Sequence, residues 1–564
     1  MKRKIRMIRM IRMMVALMMV ASLLGCSRGG NTDKELSKEE AIITLGNKIE
    51  AMPTTVSTSN LIKDLGDGKE GTKELYDYLP DIETEHPPVV KGNADIVIEI
   101  ASSTEKASSG TNGSLVKIAE NFNKQRYTVN GRTVAVQITS IASGEAIDYI
   151  VSGKYVWDAY TPSNQYWGKI LESSGMDVEL VTDRLAGNTA GFVFENNTYD
   201  SFTQKYGEVN AGNVAQAVID GELSFGYTNP NASSTGLNYV VSMLYSFDSS
   251  NPLSSKASNA FIEFSRNINH LSYTTLQLTN KVANGSVNAF VYEYQNFVNT
   301  ATLSKGNYKF VPFGVRHDSP LYVIGNLTED KTEAINLFAQ YCLEAESQKI
   351  FTEYGFNELD EYSGENLNID GRTILSAQSL WKEEKNTSEI AAIFVVDTSG
   401  SMEGQPIRNM KSTLLELISD IDSDHYIGLV SYDSNVHIDL PVGKFDSLQQ
   451  AYFRGAANSL SAGGNTATND ALLIALNMLV EFQKSNPDVK PMIILMSDGE
   501  QTSGYNLKTV SNIIKGIGIP INTVSYNANV TDLETLAAIN EGAQISASTD
   551  NVLYKLKAFL SAAF

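Results

Sequence analysis

From Ile390 to the C-terminus, short and fully apolar runs alternate with segments whose apolar residues recur every three or four positions, which leaves few folds open. Ile393-Phe394-Val395-Val396 contains no polar residue, as a parallel strand covered on both faces requires. Ile407, Met410, Leu414, Leu417 and Ile421 follow at steps of 3, 4, 3 and 4, placing one apolar face of a helix against a sheet. The same reading predicts strands at Ile427–Tyr432, Met492–Met496 and Ile521–Ser525, with helices at Ala471–Phe482, Leu507–Lys515 and Leu533–Asn540. Together they specify a doubly wound, Rossmann-like α/β sheet, a topology that gathers functional groups at the carboxyl ends of its strands.

Three polar motifs fall on such ends. Asp397-Thr398-Ser399-Gly400-Ser401-Met402 follows the first strand, and Ser497-Asp498-Gly499 follows the Met492–Met496 strand. Gly463-Gly464-Asn465-Thr466 precedes a helix between them. Two carboxylates with three hydroxyls make a hard oxygen donor set, suited to Mg²⁺ or Mn²⁺ and unsuited to soft metals. Asp397, Ser399, Ser401, Thr466 and Asp498 resemble the metal-ion-dependent adhesion site of von Willebrand factor type A domains. Thr468 competes with Thr466 for the threonine role, and alignment through Asn469-Asp470-Ala471-Leu472 favours Thr466. The resemblance spans about residues 388–564. It implies a bound Mg²⁺ or Mn²⁺ whose coordination is completed by an acidic group of a protein or polymer partner.

The middle of the chain alternates less cleanly. A strand at Ile96–Ile100, a helix at Ser114–Lys124 and a strand at Val134–Ile138 open a region that runs to about Phe356. Ser102-Ser103-Thr104, the Trp157–Asn164 stretch, Asn229–Gly236 and Tyr292-Glu293-Tyr294-Gln295 resemble the cleft segments of type II extracellular solute-binding proteins. The ending, from Ser319-Pro320-Leu321-Tyr322 to Tyr354-Gly355-Phe356, is similar to that family as well. A two-lobed, type II periplasmic-binding-protein-like domain is implied. Its candidate ligand contacts are Ser102, Ser103, Ser163, Ser233, Ser234 and Thr235, because hydroxyls and N–H groups at helix starts accept anionic or polar solutes. Each of those residues reads equally well as a turn or cap.

The N-terminus specifies a location. Six basic residues crowd the first twelve positions, about a dozen apolar residues follow, and Leu23-Leu24-Gly25-Cys26 comes next. An apolar run of roughly twelve residues is too short to span a bilayer, so it reads as an export signal. The box resembles that of bacterial lipoproteins, in which the cysteine is acylated. Residues 1–25 are thus expected to be a lipoprotein signal peptide and 26–90 a polar tether on lipidated Cys26. The remaining divisions are 91–358 for the solute-binding-like domain, 359–387 for a linker and 388–564 for the A domain. The expected location is the extracytoplasmic face of a bacterial cell membrane, held by lipid alone.

Charge and missing motifs narrow the function. The net charge of −21 becomes −27 without those six basic residues, and nucleic-acid affinity rests on cationic contacts to phosphate, so such binding is excluded. Two cysteines, Cys26 and Cys342, exclude Cys-rich zinc sites and iron–sulfur clusters. The five histidines show no metalloprotease spacing, and neither a P-loop nor a nucleophile elbow is present. Cys342 lies on an apolar helical face and reads as a core thiol. The chain is expected not to be an enzyme. Its leading expectation is a membrane-anchored adhesion lipoprotein that engages a partner through the divalent ion. The alternative is a solute receptor of an ABC-type transport system in which the A domain is a docking accessory.

Overall fold

The computed structural model describes residues 36–50, 52, 54–56, 76, 79–268, 270–272, 287–385, 389–526, 531–540, 542–547 and 552–563. Cys26 and the expected signal peptide lie outside the described residues. Three sheets form among those described, of seven, five and six strands.

The seven-stranded sheet is the C-terminal domain. Its central strands Ile390–Asp397 and Lys490–Ser497 pair in parallel, flanked by Tyr426–Tyr432 on one side and Ile521–Tyr526 on the other. Ile390–Asp397 is buried at every position, which is why its sequence is an unbroken apolar run. Helices cover both faces, as in a Rossmann-like sheet. Gln405–Leu417 buries Ile407, Met410, Leu414 and Leu417 on one side. Thr468–Gln483 and Leu507–Ile517 cover the other. The Val436–Lys444 strand, which pairs antiparallel with Tyr426–Tyr432, did not show in the sequence pattern.

Two regions expected to be connectors are built into the domains. Within the expected tether, Lys38–Ile49 is a helix with a Ser37–Glu40 capping box, and it buries Ala41 and Leu45 against the C-terminal domain. Thr54–Val56 adds a strand in parallel to the edge at Val436–Ile438. This edge is therefore covered rather than exposed.

Residues 91–358 contain the other two sheets. The six-stranded unit is ordered Thr128–Val129, Arg132–Ser140, Ile96–Ser102, Ala159–Thr161, Leu321–Ile324, Val178–Thr182. The five-stranded unit is ordered Tyr308–Arg316, Thr189–Glu195, Ala289–Glu293, Phe225–Thr228, His270–Ser272. The chain crosses between the units at 183–189 and again at 316–321. The crossings bond to each other through Leu185 N–H to Ser319 O (3.1 Å) and His317 N–H to Asn188 O (3.0 Å).

Residues 357–385, which take in the described part of the expected linker 359–387, form a strap across these crossings. Asn357 and Gly187 exchange two hydrogen bonds, at 2.7 and 2.8 Å. Arg184 bonds Asp360 at 2.7 Å, and Arg316 donates to the carbonyls of Leu359 and Tyr362 at 3.0 and 2.8 Å. The helix Gly371–Lys385 then packs on Tyr166–Ser173 of one unit and Ser234–Phe247 of the other. Trp381, fully buried, donates to the hydroxyl of Tyr227 at 2.9 Å. A polar composition concealed this role, because only Leu367, Ile369, Ile374, Ala377 and Trp381 supply its buried apolar side.

Candidate functional site

Two polar clusters occupy strand ends. The first lies in the C-terminal domain and contains the residues expected to hold a metal. Asp397 is fully buried. It accepts from the Ser399 N–H at 2.8 Å, from the Ser497 hydroxyl at 2.6 Å and from the Tyr432 hydroxyl at 3.4 Å. The Ser401 hydroxyl donates to Asp498 at 2.8 Å and lies 3.0 Å from the Ser399 hydroxyl. Burial, reinforced by the charge of Asp397, holds the Asp498 carboxyl above its ordinary value despite the Ser401 bond. Thr466 is buried; its N–H donates to the Thr502 hydroxyl at 2.9 Å and its carbonyl accepts from the N–H groups of Thr502 and Ser503. Thr468 instead reaches the Tyr432 hydroxyl at 3.4 Å.

The expectation of Mg²⁺ or Mn²⁺ is corrected here. No group of three or more His, Cys, Asp or Glu side chains that could hold a metal ion occurs among the described residues. The loops bring together only two carboxylates, and the Ser401 and Ser497 hydroxyls are spent on hydrogen bonds to them, with the Ser399 hydroxyl turned to Ser401. The donor set does not fit the ion. With it go the metal-completed acidic partner and the adhesion reading that depended on it.

The second cluster lies where the two units of the middle domain meet. From the six-stranded unit come Ser102 and Ser103 at the end of Ile96–Ser102, and Ser163 and Asn164 after Ala159–Thr161. From the five-stranded unit come Ser233, Ser234 and Thr235 at the start of the Ser234–Phe247 helix, and Glu293 at the end of Ala289–Glu293. Contact across the junction is close. Ser234 accepts from the Trp167 indole at 2.7 Å and donates to the Ser143 hydroxyl at 3.3 Å. A Cβ added to Gly144 would stand 1.8 Å from the carbonyl oxygen of Asn231, so only glycine fits there. Ser163 bonds the second crossing through its carbonyl, which accepts from Ser319 N–H at 3.0 Å.

Of the six expected contacts, the structure brings Ser163, Ser234 and Thr235 to the junction. Ser102 bonds within its own loop, through its hydroxyl to the Ser103 carbonyl at 3.4 Å. Ser103 holds the Glu105 carboxylate at 2.5 Å, and Ser233 accepts from Thr228 of its own unit at 2.8 Å.

The charged members were missed in the sequence. Lys106 is fully buried and donates to Thr161 O at 2.9 Å, Pro162 O at 3.4 Å, Glu105 at 3.3 Å and the Ser103 hydroxyl. Burial lowers its affinity for the proton, against the opposing pull of Glu105. Burial is the largest influence on Glu105 and works against its charge, but the charge of Lys106 and the hydrogen bonds from Ser103, the backbone and Lys106 together hold that carboxyl below its ordinary value. His317, also fully buried, donates from Nδ1 to Glu293 at 2.8 Å. The Tyr292–Gln295 segment was a sequence signal for Glu293, but nothing marked His317 apart from the other histidines. Cys342, the expected core thiol, is fully buried, and burial raises its pKa.

Residues 106–357 match the bacterial extracellular solute-binding protein family, and residues 392–560 match the von Willebrand factor type A domain. The chain thus combines a solute-binding-like domain with a type A domain of Rossmann-like α/β architecture. These families are generally non-catalytic, in keeping with a protein that is not an enzyme. Inter-alpha-trypsin inhibitor heavy chain H1 from Sus scrofa is 32% identical over 178 residues, covering 29% of this chain and 19% of that protein. The chain therefore spans about a fifth of the length of that curated relative. Among solved structures, the substrate-binding domain of a molybdenum ABC transporter from Clostridium difficile is 14% identical, covering 47% of this chain and all of that one, with a TM-score of 0.29. Iron-bound HitA from Pseudomonas aeruginosa is 13% identical, covering 52% of this chain and 99% of that one, with a TM-score of 0.38.

Proposed function

We propose that this chain is the solute receptor of an ABC-type transport system. In this reading the six- and five-stranded units are the two lobes of a type II binding protein. The cleft is the junction that holds Ser163, Ser234, Thr235 and Glu293, and the flanking hydroxyls of Ser102, Ser103 and Ser233 face the entering solute when the lobes part. The type A domain docks the receptor to its membrane partners without a metal ion. The observation that carries the reading is the family match over residues 106–357, which covers both halves of the junction. Hinged lobes that close on a solute use groups that bond to each other when the cleft is shut, in line with the Ser143–Ser234 and Trp167–Ser234 contacts.

We also propose that Cys26 carries the lipid that keeps the receptor on the extracytoplasmic face of a bacterial membrane. A Cys26→Ala chain would then leave the detergent phase on phase separation, and retention there would refute the anchor. For the receptor, thermal unfolding of the lipid-free chain from Ser27 against a solute panel is the test. A solute at about 100 times its Kd adds about 2.7 kcal/mol, which moves a domain of this size by roughly 5–10 °C. If no solute moves the middle domain's transition, the receptor reading fails.

A further inference from the structure

The polar groups at the junction define a charge balance, and the balance describes the solute. This inference rests on the receptor reading above. Glu293, only 6% exposed, accepts from His317 Nδ1 at 2.8 Å, Thr235 Oγ1 at 3.4 Å and Asn188 Nδ2 at 3.1 Å. The tautomer of His317 is set by its other nitrogen. Nε2 lies 3.1 Å from the Asn164 amide nitrogen and 3.1 Å from that of Asn238. Both amides have fixed orientations: Asn164 Oδ1 accepts from Tyr166 N–H, and Asn238 exchanges two bonds with the backbone of Val315. Two N–H₂ donors therefore point at Nε2, which must be the bare acceptor, leaving the proton on Nδ1.

Every donor to Glu293 is thus neutral. The ammonium of Lys106 also acts on Glu293, but more strongly on Glu105, with which it forms an ion pair at 3.3 Å. Two buried carboxylates therefore share one ammonium, and buried charge is ordinarily paired. A second observation points the same way. Gln295 Oε1, Thr161 Oγ1 and Ser319 Oγ are buried with no hydrogen-bond partner, and each lies within two positions of a residue bonded to this cluster. Gln295 Oε1 can only accept, so what it lacks is a donor.

We propose that the solute presents a cationic N–H-bearing group, an ammonium or guanidinium, to Glu293 and Gln295. Such a group supplies the missing charge and the missing donor together. An inorganic oxyanion would supply neither and would be repelled by both carboxylates.

The test is thermal unfolding of the detergent-solubilised full chain at constant ionic strength, with putrescine, agmatine and arginine compared against sulfate, molybdate and phosphate. A cationic probe should raise the middle domain's transition by several degrees, and Glu293→Gln should abolish the shift. Glu179→Gln, on an exposed strand position, should retain it. If an oxyanion stabilises the domain and the cations do not, the cationic assignment is overturned while the receptor reading stands. If neither sign of solute moves the transition, both fall. If Glu293→Gln does not fold, the wild-type ranking of cations against oxyanions still decides the matter.

Discussion

The two strand-end clusters are built from the same materials and differ in what they join. Around Asp397 and Asp498, the groups come from loops of one sheet and both carboxylates find hydroxyl donors within it, although the nearby Ser503 hydroxyl is buried without a partner. Around Glu293 and Lys106, the partners come from two sheets and from both crossings between them, and three buried polar atoms remain unpaired. Chemistry alone does not separate a structural knot from a binding site. On the proposed receptor reading, what separates them is whether the cluster spans elements that can move relative to one another.

The largest effect that could break this contrast concerns Lys106. Lys106→Met would strand the Glu105 carboxylate in a dry interior, a loss of about 3–5 kcal/mol, or roughly 10 °C in the middle domain's transition. Adding Glu105→Gln should recover most of it, since replacing a whole buried pair is often close to neutral. Scanning calorimetry of the single and double variants reads both numbers. If the type A domain's transition falls equally, the clusters do not belong to independent units and the contrast is lost. Trp381→Ala should cost a similar ~3–5 kcal/mol. Its damage should appear as cleavage by protease within 357–385, because that tryptophan anchors the strap.

The knot in the type A domain should be less sensitive. Ser497→Ala removes a 2.6 Å bond to the fully buried Asp397, at a cost of about 1–3 kcal/mol, and should lower only that domain's transition in urea. An equal fall in the middle domain would show that the knot reaches beyond its own sheet.

These predictions also show what the sequence made legible. The type A domain was readable because each central strand is buried on both faces, so periodicity and burial carry the same message. Ile393–Val396 and Met492–Met496 could hardly have been anything else. Its partner segment at Lys38–Val56 was hidden by its solvated face, with only Ala41 and Leu45 fully buried along the Lys38–Ile49 helix. At the junction of the middle domain's two units, serines and threonines advertised themselves as loop residues. The charged groups that matter more, Lys106 and His317, acquire meaning only from long-range neighbours: 55 residues separate Lys106 from Thr161, and 153 separate His317 from Asn164. Spacing could not show that the Ser401 hydroxyl turns toward Asp498, or that Ser497 supplies the donor to Asp397.

Titration sharpens the contrast between domains further. Asp498 binds its proton more tightly folded than unfolded, because burial and the charge of Asp397 outweigh the Ser401 bond. It therefore contributes stability that is complete below the unfolded value near ~3.9 and is lost as pH rises through the folded one. Asp248 in the middle domain behaves oppositely. Hydrogen bonds from Ser250, Ser254 and Asn251 hold it at about 2, so its contribution is present above the unfolded value and is lost as pH falls toward that figure. Relative to wild type, Asp498→Asn should gain stability as pH rises from about 3 to 6, whereas Asp248→Asn should lose it. Parallel pH profiles for the two variants would mean that these carboxyls do not titrate as their surroundings dictate.

The smallest effect tests the seam between the domains. Lys555, on the last helix of the type A domain, reaches Glu85 at 2.5 Å, just ahead of the six-stranded unit. Its side chain is 28% exposed, while that of Glu85 is 7% exposed. A pair with one solvated partner is worth about 0–1 kcal/mol, so Lys555→Ala should shift neither transition by more than about 4 °C. Hydrogen exchange should be more revealing, with faster exchange in the Ile82–Glu85 helix and no change at Asp397–Ser401. The proposed receptor, opening and closing while its type A domain stays docked, would need a seam of this kind, weak in energy but fixed in position. A shift of many degrees would instead make the seam part of a common core, and the two clusters would then be regions of a single rigid body.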